Sequence, residues 1–219
     1  MKPKSAYLDI LDVLNDHFLQ WPYLLGGRPS PADFGFITLL FAHLSRDPHS
    51  AQIMKLRAPQ VFRWTERMNE AGIVDGEFSD IAPEYLPNDA LPDTLIAILR
   101  YLLAENEAEI VAMVGSFNAW CDAHADLKSG SPLRTAPETL SAHPKLGIFT
   151  FENRDTTFHM QTLASVIYSY QRALDAIDGL DDAGRTIVEQ TLSETGGTYL
   201  LEHRPNHRIR LDGDQYAIE

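Results

Sequence analysis

Leu24-Leu25-Gly26-Gly27-Arg28-Pro29-Ser30-Pro31-Ala32-Asp33-Phe34-Gly35 is a helix start written out residue by residue. Ser30 can offer its hydroxyl to the first unpaired backbone N–H groups. Pro31 takes the first helical position, where a missing N–H costs nothing, and Asp33 stands three residues after the cap, where its carboxylate can reach back to the Ser30 N–H. This is a capping box with Asp in place of Glu. The carboxylate also lies beside the positive end of the helix dipole, and the two glycines ahead of it let the chain reverse. Such a cap contributes roughly 1 kcal/mol.

On either side of this start the pattern is helical. Tyr7, Ile10, Leu11, Leu14 and Phe18 recur at three- and four-residue steps, which predicts a helix over 6–20 that Pro22 closes. The helix launched at Pro31 is predicted to run to about Ser45. It is apolar on nearly every side, the pattern of a helix at the centre of a bundle. A short helix over 51–56 leads to Pro59, which opens another helix carrying Trp64.

The order apolar pair, two glycines, polar link, Ser-x-Ala-Asp-aromatic and long apolar helix resembles the capping-box segment of the all-helical C-terminal domain of glutathione transferases. Arg57-Ala58-Pro59-Gln60-Val61-Phe62-Arg63-Trp64-Thr65-Glu66-Arg67-Met68 resembles that family's next helix, which opens with proline and carries a central Trp. This likeness covers residues 6–70. Gln171-Arg172, Thr195-Gly196-Gly197, Arg208-Ile209-Arg210 and Asp212-Gly213 are similar to a larger, bacterial-type branch whose helical domain carries an extension. In the family, glutathione and the activating Ser, Tyr or Cys lie mainly in an N-terminal thioredoxin-like domain. Only 29 residues precede Ser30, whereas such a domain needs about 75 with strand–helix alternation. The first helix of the usual helical domain also has no counterpart.

Beyond Trp64, glycine and proline thicken between Gly72 and Pro92, and a sub-domain boundary is placed there. From Pro92 the spacing predicts one bent helix or two, reaching Cys121. The Lys128–Lys145 stretch is rich in Ser, Pro and Gly and reads as a loop. Ile148–Phe151 and Thr156–Phe158 read as hairpin arms around Asn153-Arg154-Asp155. Gln161–Ile177 is predicted as a helix, and a further helix is capped at Asp181 or Asp182 and ends at Gly196-Gly197. A small hairpin closes the chain, with a turn at Asp212-Gly213.

The chain has 219 residues, 44% of them apolar, enough for one sizeable core or a core with a lobe. Its net charge of −13 argues against a nucleic-acid or anionic-membrane surface. The one local basic cluster, Arg204, Arg208 and Arg210, reads as a solvated tail. A single cysteine, no signal-peptide pattern and no apolar run long enough for a membrane span together predict a cytoplasmic protein.

Candidate chemistry is sparse. Cys121 sits beside Trp120 on an apolar helix face, the setting of a structural thiol. Asp122, His124 and Asp126 step by two residues and so cannot converge on a metal, and Pro205 separates His203 from His207. No metal site is expected. Around the first hairpin stand His143-Pro144, Arg154 and His159. Tyr168 and Arg172 share a helix face, where an Arg beside a Tyr can hold a substrate carboxylate or pair with one of the chain's acids. Trp120, His159, Tyr168 and Arg172 are therefore the candidate substrate contacts, and Ser30 and Asp33 are read as structural. No Ser-His-Asp arrangement, phosphate loop or dinucleotide fingerprint is present.

The expected fold is mainly α: a glutathione-transferase C-terminal-like bundle over 1–80, with a helical extension and small β-hairpins over 81–219 packed against it as one unit. The resemblance implies a substrate-side helical domain acting on a small hydrophobic or electrophilic molecule, with glutathione entering only through a thioredoxin-like partner or missing domain. The alternative is a non-catalytic binding or scaffold module. Because the family's first helix is missing, the first two helices are expected to expose apolar faces and to pair, either as a homo-oligomer or with a thioredoxin-like chain.

Overall fold

Apolar side chains at helical spacing form the predicted helices, and their caps fix most of the ends. The computed structural model describes residues 3–70, 76–133 and 145–219. It is mainly helical with two small antiparallel hairpins. The chain divides into two compact units, Met1–Tyr101 and Leu102–Glu219. The division falls inside a helix, beyond the expected boundary at residue 80. The described part of the 72–92 stretch holds two short 3-10 turns, Gly76–Phe78 and Pro87–Asp89.

Unit 1 contains α1 (Pro3–Phe18), α2 (Pro31–Leu39), α3 (Pro48–Arg57), α4 (Pro59–Met68) and the start of α5 (Asp93–Ala123). Leu11, Leu14 and Phe18 of α1 are buried with Met54, Ala58, Val61 and Trp64. The Phe18 ring stacks on Trp64 with centroids 4.8 Å apart. Polar pairs hold the edges of this packing. The Tyr7 hydroxyl donates to the Ser50 carbonyl at 3.0 Å, and Arg57 forms a two-point bond with Asp12. The N-cap of α4 is Ala58, which has no capping side chain, so Asn15 of α1 supplies one: its Oδ1 accepts from the Gln60 N–H at 3.1 Å.

Gly26 and Gly27 do more than turn the chain. Gly26 has φ +117°, and the Gly27 N–H donates to the Glu84 carbonyl at 2.8 Å. A Cβ on Gly27 would overlap the Ala82 carbonyl. The pair leaves room for a second backbone at the entry to α2.

Helix α2 is where the structure departs most from the sequence reading. It continues beyond Leu39 as a π turn, Leu40–Leu44, so the segment reaches the predicted end. Its surroundings, however, are not those of a central helix. Phe34 is 60% exposed and Leu39 63% exposed, while only Asp33 and Leu40 of the segment are buried. The apolar faces expected to meet water are therefore found on α2. On α1, Leu14 and Phe18 are covered from within unit 1.

Unit 2 is built on the rest of α5, a single helix of 31 residues where one or two were expected. Its core gathers Met113, Val114, Phe117 and Cys121 of α5 with Leu133, Leu146, Phe149, Ala164, Ile167, Ile209 and Ile218. Strands β1 (Lys145–Asn153) and β2 (Thr156–Leu163) form the first hairpin. Arg154 and Asp155 at its tip both take positive φ, 51° and 56°, the two-residue turn that suits the twist of the strands. Arg154 then bonds Glu105 of α5 through two nitrogens. Gln161–Leu163, expected to be helical, is the end of β2. Gln161 pairs with Ile148, and the buried Thr162 hydroxyl donates to Ser116 at 2.8 Å.

Helix α6 (Ala164–Asp178) follows, then α7 (Asp182–Thr195), capped by Asp181 and ended by Gly196 with φ +80°. The short α8 (Tyr199–Glu202) leads to the closing hairpin of β3 (Ile209–Asp212) and β4 (Gln215–Ile218). The arginines read as a solvated tail are held. Arg204 pairs with Asp178, and Arg208 pairs with Asp175 and Glu219, because α6 presents its carboxylates along this segment. Most of the predicted Lys128–Lys145 loop, with His143 and Pro144, lies outside the described residues. Among the described residues no helix is long and apolar enough to cross a membrane.

Candidate functional site

The start of α2 is a buried polar hub. Ser30 and Asp33 are fully buried. The Asp33 carboxylate receives four donors: the Ser30 N–H at 2.9 Å, the Ser30 hydroxyl at 2.7 Å, the Leu24 N–H at 3.1 Å and the Trp64 indole N–H at 3.1 Å. One side chain thus ties the entry loop, the cap and α4 together. The arrangement leaves Asp33 facing inward, and the residue beside it, Phe34, faces water. The indole contact was not read from the sequence. Its only signal was a Trp in a helix whose buried N–H needs an acceptor.

Of the four candidate substrate contacts, two lie against one core and two lie in water. Trp120 of α5 and Tyr168 of α6 both pack on the unit 2 cluster. Trp120 stacks on His124 at 4.2 Å, and Tyr168 meets Tyr216 edge-on at 5.7 Å. His159 is exposed on β2, its ring nitrogen 3.0 Å from the hydroxyl of Thr150 on β1. Arg172 is exposed, with no carboxylate partner among the described residues.

Hydrogen bonds from arginines or backbone N–H groups lower Asp12, Asp47, Asp175 and Asp178, while burial is the main cause for the thiol, tyrosines and histidine that follow. Burial, with help from the Asp122 charge, pushes the Cys121 thiol up to about 11, the opposite of what a nucleophile at neutral pH needs. Burial likewise raises the Tyr7, Tyr170 and Tyr199 hydroxyls to about 12. His17, fully buried, is pushed below the usual imidazole value by desolvation, against the pull of the Tyr23 carbonyl and the Asp33 charge. Its two nitrogens lie 2.9 Å from Thr94 Oγ1 and 3.1 Å from the Tyr23 carbonyl. No group of three or more His, Cys, Asp or Glu residues among the described ones is placed to hold a metal ion.

Concavities are found among the described residues of unit 1. A groove of about 420 Å3 runs between the end of the π turn and α3, lined by Ser45, Arg46, Pro48, Ala51, Gln52, Lys55 and Leu56. A smaller pit of about 190 Å3 is lined by Leu25, Tyr85, Leu86, Asp89, Ala90 and Leu91. Neither was anticipated: the pit joins Leu25 to residues 85–91, and the groove, though built within 45–56, depends on the angle at which α3 leaves the π turn. No protein-family model matches this chain, and no curated protein or solved structure matches it.

Proposed function

We propose that this protein is a helical docking module of the glutathione-transferase C-terminal kind, whose unit 1 receives a partner chain on α2. The observation that carries the reading is the exposure of Phe34 and Leu39 on a helix whose start is locked by the Asp33 hub. Burying a large apolar side chain stabilises by about 1.5–3 kcal/mol, so covering both is a substantial drive to associate. The resemblance favours a thioredoxin-like partner. In the enzymatic form of this reading, that partner supplies glutathione and the reactive group, and Trp120, His159, Tyr168 and Arg172 contact a small electrophile. In the binding-module form, docking is itself the function.

Sedimentation of the purified chain, alone and with an isolated thioredoxin-like domain of a glutathione transferase, tests the proposal. Association that Phe34→Asp weakens at least tenfold is expected. Conjugation of glutathione to a chromogenic aryl halide only when both chains are present selects the enzymatic form. A chain that stays monomeric and ignores the added domain, with wild type and Phe34→Asp alike, overturns the reading.

A further inference from the structure

We propose that the groove between the π turn and α3 binds an acidic amphipathic helix of a partner protein, with Leu56 against its apolar face and Arg46 and Lys55 against its carboxylates. None of the groove's lining residues belongs to α2, so this goes beyond the contact proposed above.

Three observations converge on the groove. Leu56 is 78% exposed, the highest value among the large apolar residues described in the chain, and it lines the groove together with Pro48 and Ala51. Of the lining residues, Arg46 places its guanidinium 4.0 Å over the Phe41 ring and Lys55 its ammonium 4.5 Å over Phe62. Neither has a carboxylate partner among the described residues, whereas their neighbours Arg57 and Arg63 are paired with Asp12 and Glu77. A cation resting on a ring is already ordered, so it loses less freedom when an anion arrives.

The third observation is charge. The groove's two cations, Arg46 and Lys55, stand against one neighbouring acid, Asp47, in a chain with 18 Lys and Arg against 31 Asp and Glu, while Arg57 and Arg63 nearby are already neutralised by Asp12 and Glu77. Asp47 is itself engaged, accepting the His49 and Ser50 N–H groups as the cap of α3. An anionic partner is therefore repelled by most of the surface and drawn to this part of it. A groove lined by both apolar side chains and cations suits an acidic amphipathic helix, which brings a hydrophobic stripe and flanking charges together. A small anion would use the cations and leave Leu56 in water.

The test is fluorescence anisotropy on the full chain. The probe is a labelled 16-residue helical peptide with leucines at three- and four-residue steps flanked by glutamates. The expected result is saturable binding that weakens about tenfold in the double variant Arg46→Glu/Lys55→Glu, and also in Leu56→Asp. Lys128→Glu and Phe34→Asp should bind as wild type does. Because Phe34→Asp breaks only the α2 contact, the two proposals fail separately. The altered side chains are exposed, and matching circular dichroism melts would show that the variants fold. Equal binding of a lysine-for-glutamate peptide, or of a scrambled one, overturns the proposal. So does peptide binding indifferent to the double variant, or binding of citrate or anionic lipid vesicles with the same dependence on Arg46 and Lys55.

Discussion

Asp33→Ala strikes the point where the most buried polar atoms meet. The substitution strands the Ser30 N–H and hydroxyl, the Leu24 N–H and the Trp64 indole N–H. Each donor left buried without an acceptor costs about 1–3 kcal/mol. The four losses share one cavity and do not add. Removing a buried carboxylate also returns its desolvation cost, so a net loss of about 3–5 kcal/mol is expected. At roughly 4–8 °C per kcal/mol for a domain of this size, the unit 1 transition should fall by ~12 °C or more. Urea unfolding followed by far-ultraviolet circular dichroism and tryptophan fluorescence measures it, with the exposed Asp80→Ala as control. A double-mutant cycle with Trp64→Phe isolates the indole contact, and a coupling of about 1 kcal/mol is expected. A loss below ~1 kcal/mol for Asp33→Ala would refute the hub.

His17 is held neutral by burial, its value lowered from 6.5. The unfolded chain therefore takes up the proton first, and this contribution to stability is complete above about pH 6.5 and shrinks as the pH falls below it. The slope approaches 1.4 kcal/mol per pH unit at most, and urea midpoints from pH 8 to 5 should show it in wild type but not in His17→Gln. Gln171→Ala removes both bonds between this side chain and the Ile209 backbone. A loss of about 1–3 kcal/mol is expected, with faster exchange of the Ile209 amide in unit 2 by hydrogen-exchange mass spectrometry. Cys121, buried and raised to about 11, should react with a disulfide reagent at pH 8 at least a hundredfold slower in the native protein than in urea.

The helix starts were legible because their chemistry is local. Ser30-Pro31-x-Asp33 and Asp181 each hold their cap within three residues, and the structure shows helices beginning at Pro31 and Asp182; the cap at Asp47 was not read, and α3 begins at Pro48, three residues before the start expected for it. The hairpin tips were legible for the same reason. What escaped was settled by partners far along the chain. An apolar pattern says that α2 can be buried and not whether anything covers it, so Phe34 and Leu39 were misplaced. Gln161–Leu163 was taken into the following helix because Leu163 falls in phase with Ile167 and Tyr170. The pairing with β1 and the Thr162–Ser116 bond, 46 residues apart, decide for a strand. The arginines of the closing segment looked solvated because their acids lie 26 and 33 residues earlier. The groove beside α3 has no signal in periodicity, though the excess of basic residues there was countable.

The closing hairpin keeps its open edges to itself. The Gln171 amide both donates to and accepts from Ile209, in the place where another strand would bond. Along β4, Gly130 and Leu133 donate to the Ile218 and Tyr216 carbonyls, and the Ser131 carbonyl accepts from Ile218. With Ile209 engaged on one margin and Tyr216 and Ile218 on the other, this pair offers a neighbouring molecule little ladder to extend. Replacing Gln171 would open one margin, so a variant that is only modestly less stable could still become prone to aggregate at high concentration, a hazard that a melting curve alone would not reveal.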